Sequence, residues 1–260
     1  MKLGSIESIW RYPVKGMRGE ELPHGYASFA GLMGDRVYGL VAGDGDPGFP
    51  WHTAREQEEF VLYKARFTAP DNLLLPDDLD AYEEDGIGVK PLEPADEVHA
   101  VQVETPTGKS YDIQDPEFLA HLERASERRL KLIFSQKGQQ DCRPLSLFSL
   151  SAAAQLSADT GLSVDKRRFR ANFYVEWENQ EDPYFEFSLV GKNLQIGDRL
   201  QIAIVERDPR CKMITLDPDT AEETPKLLQY VSRKLGGDAG VFAAVLREGR
   251  VKKGDPITLL

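Results

Sequence analysis

The stretch Arg199-Leu200-Gln201-Ile202-Ala203-Ile204-Val205 alternates apolar and polar side chains, with Leu200, Ile202 and Ile204 on one face. An apolar period of two residues is typical of a β-strand that buries one side. Similar short apolar runs recur along the chain, at 3–10, 37–42, 98–103, 130–134, 173–177, 241–247 and 256–259. Because so many short strands need their edges closed, we expect a mainly β chain with a barrel-like architecture.

A few short helices are predicted between the strands. Asp115-Pro116-Glu117 and Thr224-Pro225 each place a capping residue before a proline, which is a common opening of a helix. A third helix is predicted to begin at Ser149 or Ser151 and to end near Gly161.

The strands fall into two groups along the chain. A polar stretch near 135–145 separates an N-terminal β region, residues 1–135, from a C-terminal β region, residues 136–260. Segment 68–97 is rich in Pro, Asp and Glu and lacks a strand pattern, so we predict a surface excursion or a lid there.

Composition limits the classes of function. The net charge of −11 repels phosphate backbones, so we expect no nucleic-acid partner. No apolar run is long enough for a membrane span, and no secretory signal is evident. The sequence also lacks a glycine-rich nucleotide loop. With two cysteines among 260 residues, neither a disulfide scaffold nor a cysteine-held iron–sulfur cluster fits, and we expect a cytoplasmic location.

Cys211 carries the strongest chemical signal. It directly follows the strand at 199–205, and it lies between Arg210 and Lys212, whose positive charges favour the thiolate form. A thiolate binds metals or attacks electrophiles, whereas the alternative interpretation is an inert cysteine beside two surface bases. Cys142 lies near the predicted domain junction and is interpreted as structural.

Four other polar residues are candidates for binding an anion. Arg170 and Asn172 alternate with Phe169 and Phe173 just before a strand, which places both polar side chains on one face. Solvent-facing charges on an edge strand are an equal alternative for this pair. Lys15 and Arg36, in the turns of the N-terminal region, carry little weight separately.

Considered in chain order, these residues resemble a known family. The matching motifs are Tyr12-Pro13-Val14-Lys15-Gly16, Gly34-Asp35-Arg36, Phe169-Arg170-Ala171-Asn172, Arg210-Cys211 with Asp217-Pro218-Asp219-Thr220, and the closing Gly249-Arg250-Val251-Lys252-Lys253-Gly254-Asp255. The ordered set resembles the MOSC family, in the form that carries an N-terminal MOSC β-barrel region, as in the mitochondrial amidoxime reducing component and its bacterial relatives. Ala171 and Pro209 depart from the pattern of the amidoxime-reducing relatives, which affects substrate choice more than cofactor binding.

The resemblance implies a MOSC-type β-barrel and a molybdenum cofactor, a molybdopterin that holds the metal. Cys211 matches the protein ligand of the metal and would be the catalytic residue. The positions that match family contacts with the cofactor are Lys15, Arg36, Arg170, Asn172 and Arg210. Ser149 or Ser151, at a helix N-terminus, is a further candidate for the cofactor phosphate.

The implied function is reduction of N-oxygenated, chiefly N-hydroxylated, small molecules. Electrons would come from a separate donor protein of the ferredoxin, flavodoxin or cytochrome type, with its own reductase, because two cysteines cannot build an internal cluster. One alternative is a carrier of the molybdenum cofactor, or a sulfur-transfer protein with a persulfide on Cys211 and no turnover of its own. Another is a β-barrel binding module with an inert cysteine.

Overall fold

The computed structural model describes residues 1–46, 48–73, 100–179 and 181–260. Its strands, β1 to β17 in chain order, are Lys2–Arg11, Glu20–Leu22, His24–Ser28, Gly31–Leu32, Tyr38–Asp46, Phe49–His52, Lys64–Phe67, Val101–Glu104, Ser110–Asp112, Leu130–Phe134, Leu145–Ser149, Phe173–Trp177, Asn193–Ile196, Leu200–Pro209, Asp238–Arg247, Gly249–Lys252 and Pro256–Leu259. The α-helices are α1 (Pro116–Ser126), α2 (Leu150–Thr160) and α3 (Pro225–Lys234). The prediction of a mainly β chain with a few short helices is confirmed.

Seven strands close into a β-barrel, in the order β12-β11-β15-β14-β13-β17-β1, and β1 pairs with β12 to complete it. Only β11 and β12 run parallel, and the other neighbouring strands of the barrel are antiparallel. The alternating run at 199–205 lies on β14, where Leu200, Ile202 and Ile204 are buried in the barrel core. Closure leaves the barrel without the unpaired edges that many short strands otherwise expose.

The first strand comes from the predicted N-terminal region and yet belongs to this barrel. On one side, Ile6 of β1 pairs with Val175 of β12, and on the other, Gly4 pairs with Ile257 of β17. Three small sheets, β10-β5-β6, β16-β3-β4 and β7-β8-β9, lie outside the barrel. A second core joins residues from two of these sheets, β10-β5-β6 and β7-β8-β9, including Tyr38 and Val103. Ala27 and Val251 of the third sheet belong to the barrel core. The division at 135/136 stays a prediction, and β1 crosses it.

The helices begin where the capping signals indicate. The Asp115 side chain accepts a hydrogen bond from the backbone N–H of Glu117 at 2.8 Å, and Pro116 starts α1. Ser149 caps α2, which ends at Gly161 with a positive φ of 68°. Helices α2 and α3 share a third apolar cluster with Phe148. In the part of the chain described above, no helix has the length and apolar character needed to cross a membrane.

The predicted excursion over 68–97 falls mostly on residues that are not described. The structure describes residues 68–73 of this segment, which include the 3₁₀ helix Pro70–Leu73, and 74–97 lies outside the described residues.

Candidate functional site

A cavity that is partly open to solvent lies between the barrel and the N-terminal sheets. The structure brings six of the predicted site residues to its lining, namely Lys15, Arg36, Arg170, Asn172, Arg210 and Cys211. Ser149 and Ser151 are not among the residues that line it. Residues far apart in sequence thus meet at one place, and both halves of the chain supply them.

Lys15 enters the cavity from the turn that follows β1. Its side chain is 5% exposed and forms an ion pair with Asp141. The next residue, Gly16, has a φ of +86°, and a Cβ there would lie 2.9 Å from the Cα of Thr53. This close approach favours glycine, because a side chain would separate the Lys15 turn from the segment around Thr53.

Arg36 and Arg170 pack on Tyr12. The Tyr12 ring centroid lies 4.8 Å from Cζ of Arg36 and 4.3 Å from Cζ of Arg170, within the range of cation–π attraction. Arg36 also pairs with Asp35 and donates a hydrogen bond to the Arg170 carbonyl at 3.0 Å. Both arginines have left-handed backbone, with φ of 52° and 53°. A non-glycine residue in this region is strained, and such residues cluster at functional sites.

Asn172 is 1% exposed and connects three strands. Its Oδ1 accepts hydrogen bonds from the N–H and the hydroxyl of Ser146 at 3.2 and 3.3 Å, and its Nδ2 donates to the Trp10 carbonyl at 3.4 Å. The side chain therefore fixes the cavity wall where β1, β11 and β12 meet.

Cys211 lies just after β14, at the start of the 3₁₀ helix Lys212–Thr215, and it is exposed. The two flanking bases are engaged elsewhere. Lys212 forms ion pairs with Glu58 and Glu223. Arg210 donates from Nε to the Ala239 carbonyl at 2.6 Å and from Nη1 to the Phe169 carbonyl at 2.9 Å. Arg210 therefore holds the loop that presents Cys211.

The lining also includes residues to which the sequence assigned no role, among them Phe49, Arg55, Asp141, Cys142 and Asp208. Cys142, interpreted above as structural, is in fact exposed and shares the cavity with Cys211. Asp208 lies three residues before Cys211, so proximity in sequence was an available signal. The others come from distant segments and carry no motif.

Asp208 is a buried acid of the cavity wall. Burial raises the pKa of its carboxyl to about 7, and the Arg210 guanidinium, 2.6 Å away, opposes that rise. Burial and the neighbouring cation thus act in opposite directions on the proton affinity of this carboxyl.

The basic side chains of the lining fall into two groups. Seven described residues are basic, against two that are acidic. Five of the seven form ion pairs, in the pairs Lys15–Asp141, Arg36–Asp35, Arg143–Glu206, Arg168–Asp217 and Arg210–Asp208. Within the described residues, Arg55 and Arg170 have no carboxylate partner, and Nη2 of Arg170 is buried without a hydrogen bond. A buried, unpaired guanidinium is costly, which marks Arg170 as a position for an anion.

The hydroxyls of Ser149 and Ser151 form hydrogen bonds near the start of α2 and do not line the cavity. The Ser149 hydroxyl donates to Glu186 at 3.0 Å and accepts from the N–H of Ala152 at 3.1 Å. The Ser151 hydroxyl donates to the Pro183 carbonyl at 3.0 Å. Glu186 is fully buried and also accepts from Nε1 of Trp177 at 3.2 Å.

This buried carboxyl predicts a pH-dependent stability. Burial raises the pKa of Glu186 to about 7, whereas the unfolded chain has the ordinary value of about 4.3. Between these values the folded state binds more protons, so the free energy of unfolding falls as the pH rises. We expect this group to lower the free energy of unfolding of wild type by about 2 kcal/mol between pH 5 and pH 8. Glu186→Gln should lack this part of the loss. Urea unfolding of both proteins at the two pH values measures the difference, and equal losses would contradict the assignment.

Comparisons with known proteins agree with this architecture. The family model described as MOSC N-terminal beta barrel domain matches residues 3–125, and the MOSC domain matches residues 135–258. Mitochondrial amidoxime-reducing component 1 of Homo sapiens is 25% identical over 100% of this chain and 84% of its own length. Mitochondrial amidoxime reducing component 2 of Macaca fascicularis is 24% identical over 98% of this chain and 83% of its own length.

Among solved structures, the YUAD protein from Bacillus subtilis is 16% identical, with a TM-score of 0.48 over 98% of this chain and 93% of that one. Together, the two family models account for nearly all of the sequence. The chain belongs to the MOSC family and joins an N-terminal MOSC β-barrel domain to a MOSC domain.

Proposed function

We propose that the protein binds a molybdenum cofactor in this cavity and reduces N-oxygenated, chiefly N-hydroxylated, small molecules. The observation that carries the proposal is the pairing of an exposed Cys211 with the buried, unpaired guanidinium of Arg170 in one cavity. The names of the full-length relatives, amidoxime reducing components, support the reaction class.

The residues present fit such a cofactor. A molybdopterin offers a soft metal and a phosphate, and the cavity offers a soft sulfur donor and an excess of positive charge within an acidic protein. Nη2 of Arg170 is buried and has no hydrogen-bond partner in the described residues, which suits an anionic group of the cofactor. Bound here, the cofactor would supply two-electron redox chemistry.

The chain's own residues have distinct tasks in this proposal. Cys211 would ligate the metal as a thiolate, and Arg170 would bind the anionic part of the cofactor together with Arg36 and Lys15. Asn172 and Arg210, whose polar atoms are engaged with the backbone, would hold the wall and the Cys211 loop in place. Reduction of an N–O bond with release of water also consumes protons, and Asp208, a buried acid of the lining, would be a source of one. Ser149 and Ser151, proposed from sequence as phosphate contacts, would need to exchange their present partners.

Electrons would come from a separate protein of the ferredoxin, flavodoxin or cytochrome type with its reductase. Two cysteines, both in the cavity lining, leave no set of thiolates for an iron–sulfur cluster of this chain's own. An open cavity that exposes Cys211 suits reduction by an external donor.

The test is the molybdenum and pterin content of wild type, Cys211→Ala and Cys142→Ala, each made in a host that synthesises the cofactor. We expect about one molybdenum per wild-type chain, because the cavity would hold one cofactor with Cys211 as its soft ligand. It should be lost in Cys211→Ala and kept in Cys142→Ala, the matched thiol of the same cavity. Elemental mass spectrometry and pterin fluorescence provide the readouts.

Other results would change the proposal. Pterin that is independent of Cys211, with a persulfide on that residue and no turnover, would favour the cofactor carrier or sulfur-transfer protein. Neither metal nor pterin in wild type would overturn the proposed function.

A further inference from the structure

Arg55 is the second cation of the cavity lining without a carboxylate partner in the described part of the chain. Unlike Arg170, it is exposed, in the turn that follows β6. An exposed cation faces little desolvation cost, so it is free to form an ion pair with a molecule that enters from solvent. The two unpaired arginines therefore lie at different depths of one cavity.

An aromatic ring supports the Arg55 guanidinium. Its Cζ lies 4.3 Å from the centroid of the Phe49 ring, in a cation–π contact. Nζ of Lys15 lies 5.8 Å from the same ring, but the charge of Lys15 is already balanced by Asp141. Phe49 and Arg55 together place an aromatic ring next to a planar, bidentate cation.

The backbone around Arg55 is held in place. The Thr53 hydroxyl accepts a hydrogen bond from the N–H of Arg55 at 3.2 Å, and the Glu56 carboxylate accepts from the Thr53 N–H at 2.9 Å. Gly16 packs directly against Thr53. A fixed turn lowers the ordering cost when the arginine binds a ligand.

We propose that Arg55, supported by Phe49, is a specificity-determining residue that selects substrates in which an aromatic ring carries both the N-oxygenated group and a carboxylate. This inference rests on the proposed function and names the substrate class of that site. The carboxylate would accept a forked pair of hydrogen bonds from Arg55, and the substrate ring would pack against Phe49. The two cations differ in how exposed they are. The guanidinium of Arg170, with its buried Nη2, suits the anionic part of a bound cofactor. The exposed Arg55 suits the carboxylate of a substrate that binds and leaves.

The test compares an aryl amidoxime with its para-carboxylate derivative on cofactor-loaded wild type, Arg55→Ala, Arg55→Lys and Arg124→Ala. Arg124 is an exposed arginine of α1 outside the cavity lining, so its variant is the matched control for net charge. Wild type should favour the carboxylate in kcat/KM by about tenfold, the size of a charge-assisted hydrogen bond. Arg55→Ala should lose this preference through KM, which should rise for the carboxylate substrate much more than for the neutral one. Arg55→Lys should keep part of it, and Arg124→Ala all of it.

Two further measurements separate the outcomes. Pterin and molybdenum content should be equal in wild type and Arg55→Ala; loss of pterin in the variant would assign Arg55 to the cofactor and overturn the inference. Calorimetry gives the Kd of the carboxylate compound without turnover. If wild type holds no cofactor, the proposed function fails. An equal Kd for the carboxylate compound in wild type and Arg55→Ala would overturn the inference about Arg55. An unchanged substrate preference in Arg55→Ala would also overturn it.

Discussion

Cys211→Ser is expected to lower the reduction of N-oxygenated substrates by at least about a thousandfold, which corresponds to about 4 kcal/mol of lost transition-state stabilisation. A serine hydroxyl has nearly the shape of the thiol, but it is a hard donor and stays protonated. It therefore cannot replace a soft thiolate at molybdenum. Steady-state turnover with a reduced dye as electron source measures the effect.

The fold should survive this change. Cys211 is exposed, and its side chain makes no capping hydrogen bond to the short helix that follows. Surface substitutions of this kind alter stability by less than about 0.5 kcal/mol, so the melting temperature should move by only a degree or two. Cys142→Ser, the matched control in the same cavity, should keep its activity. Full turnover in Cys211→Ser would refute the ligand assignment.

The second large effect is expected at Arg170. Arg170→Ala should reduce the pterin content at least about tenfold, because the variant loses a buried cation that no carboxylate neutralises. The cofactor-free variant should unfold at the same temperature as wild type or higher. Removing an unpaired buried charge relieves a desolvation cost, which offsets the lost contact with Tyr12.

Inorganic phosphate distinguishes this explanation from simple damage to the fold. It should raise the melting temperature of cofactor-free wild type, since a ligand that binds only the folded state stabilises it. The same concentration should have a smaller effect on Arg170→Ala, whereas Lys131→Ala, at an exposed position on β10 outside the cavity lining, should respond like wild type. A normal pterin content in Arg170→Ala, or a strongly lowered melting temperature of the cofactor-free form, would contradict the assignment.

Local patterns in the sequence predicted five of the seven barrel strands. The runs at 173–177 and 256–259 coincide with β12 and β17, because alternation and β-branched residues are signals within a few residues. Strands β11 and β13 were not predicted. All five residues of β11 are buried, including Ser146 and Ser149, so burial in this strand does not follow the polarity of its residues.

The site was predictable only where a motif or resemblance identified it. Arg36 and Arg170 were predicted from the sequence as site residues. Their shared packing on Tyr12, however, depends on a left-handed backbone conformation that no local sequence pattern predicts. The sequence places the positive charge of Lys212 next to Cys211. In the folded chain, however, Glu58 and Glu223 form ion pairs with Lys212 and neutralise that charge. Whether Lys212 is free depends on carboxylates more than ten residues away in the chain. The sequence does not specify which of these lie close to it in the fold.

The position of β1 in the barrel has a consequence for how the chain folds. Its residues pair with strands that lie roughly 170 and 250 positions later, so barrel closure is a contact of very long range. Such contacts slow folding, because a long loop must be ordered before they form. The ribosome therefore synthesises the first strand long before its two neighbours exist, and β1 stays unpaired with them until they emerge. The barrel that carries Cys211 closes only when this early segment pairs with both β12 and β17, because without β1 each of those strands would keep an open edge.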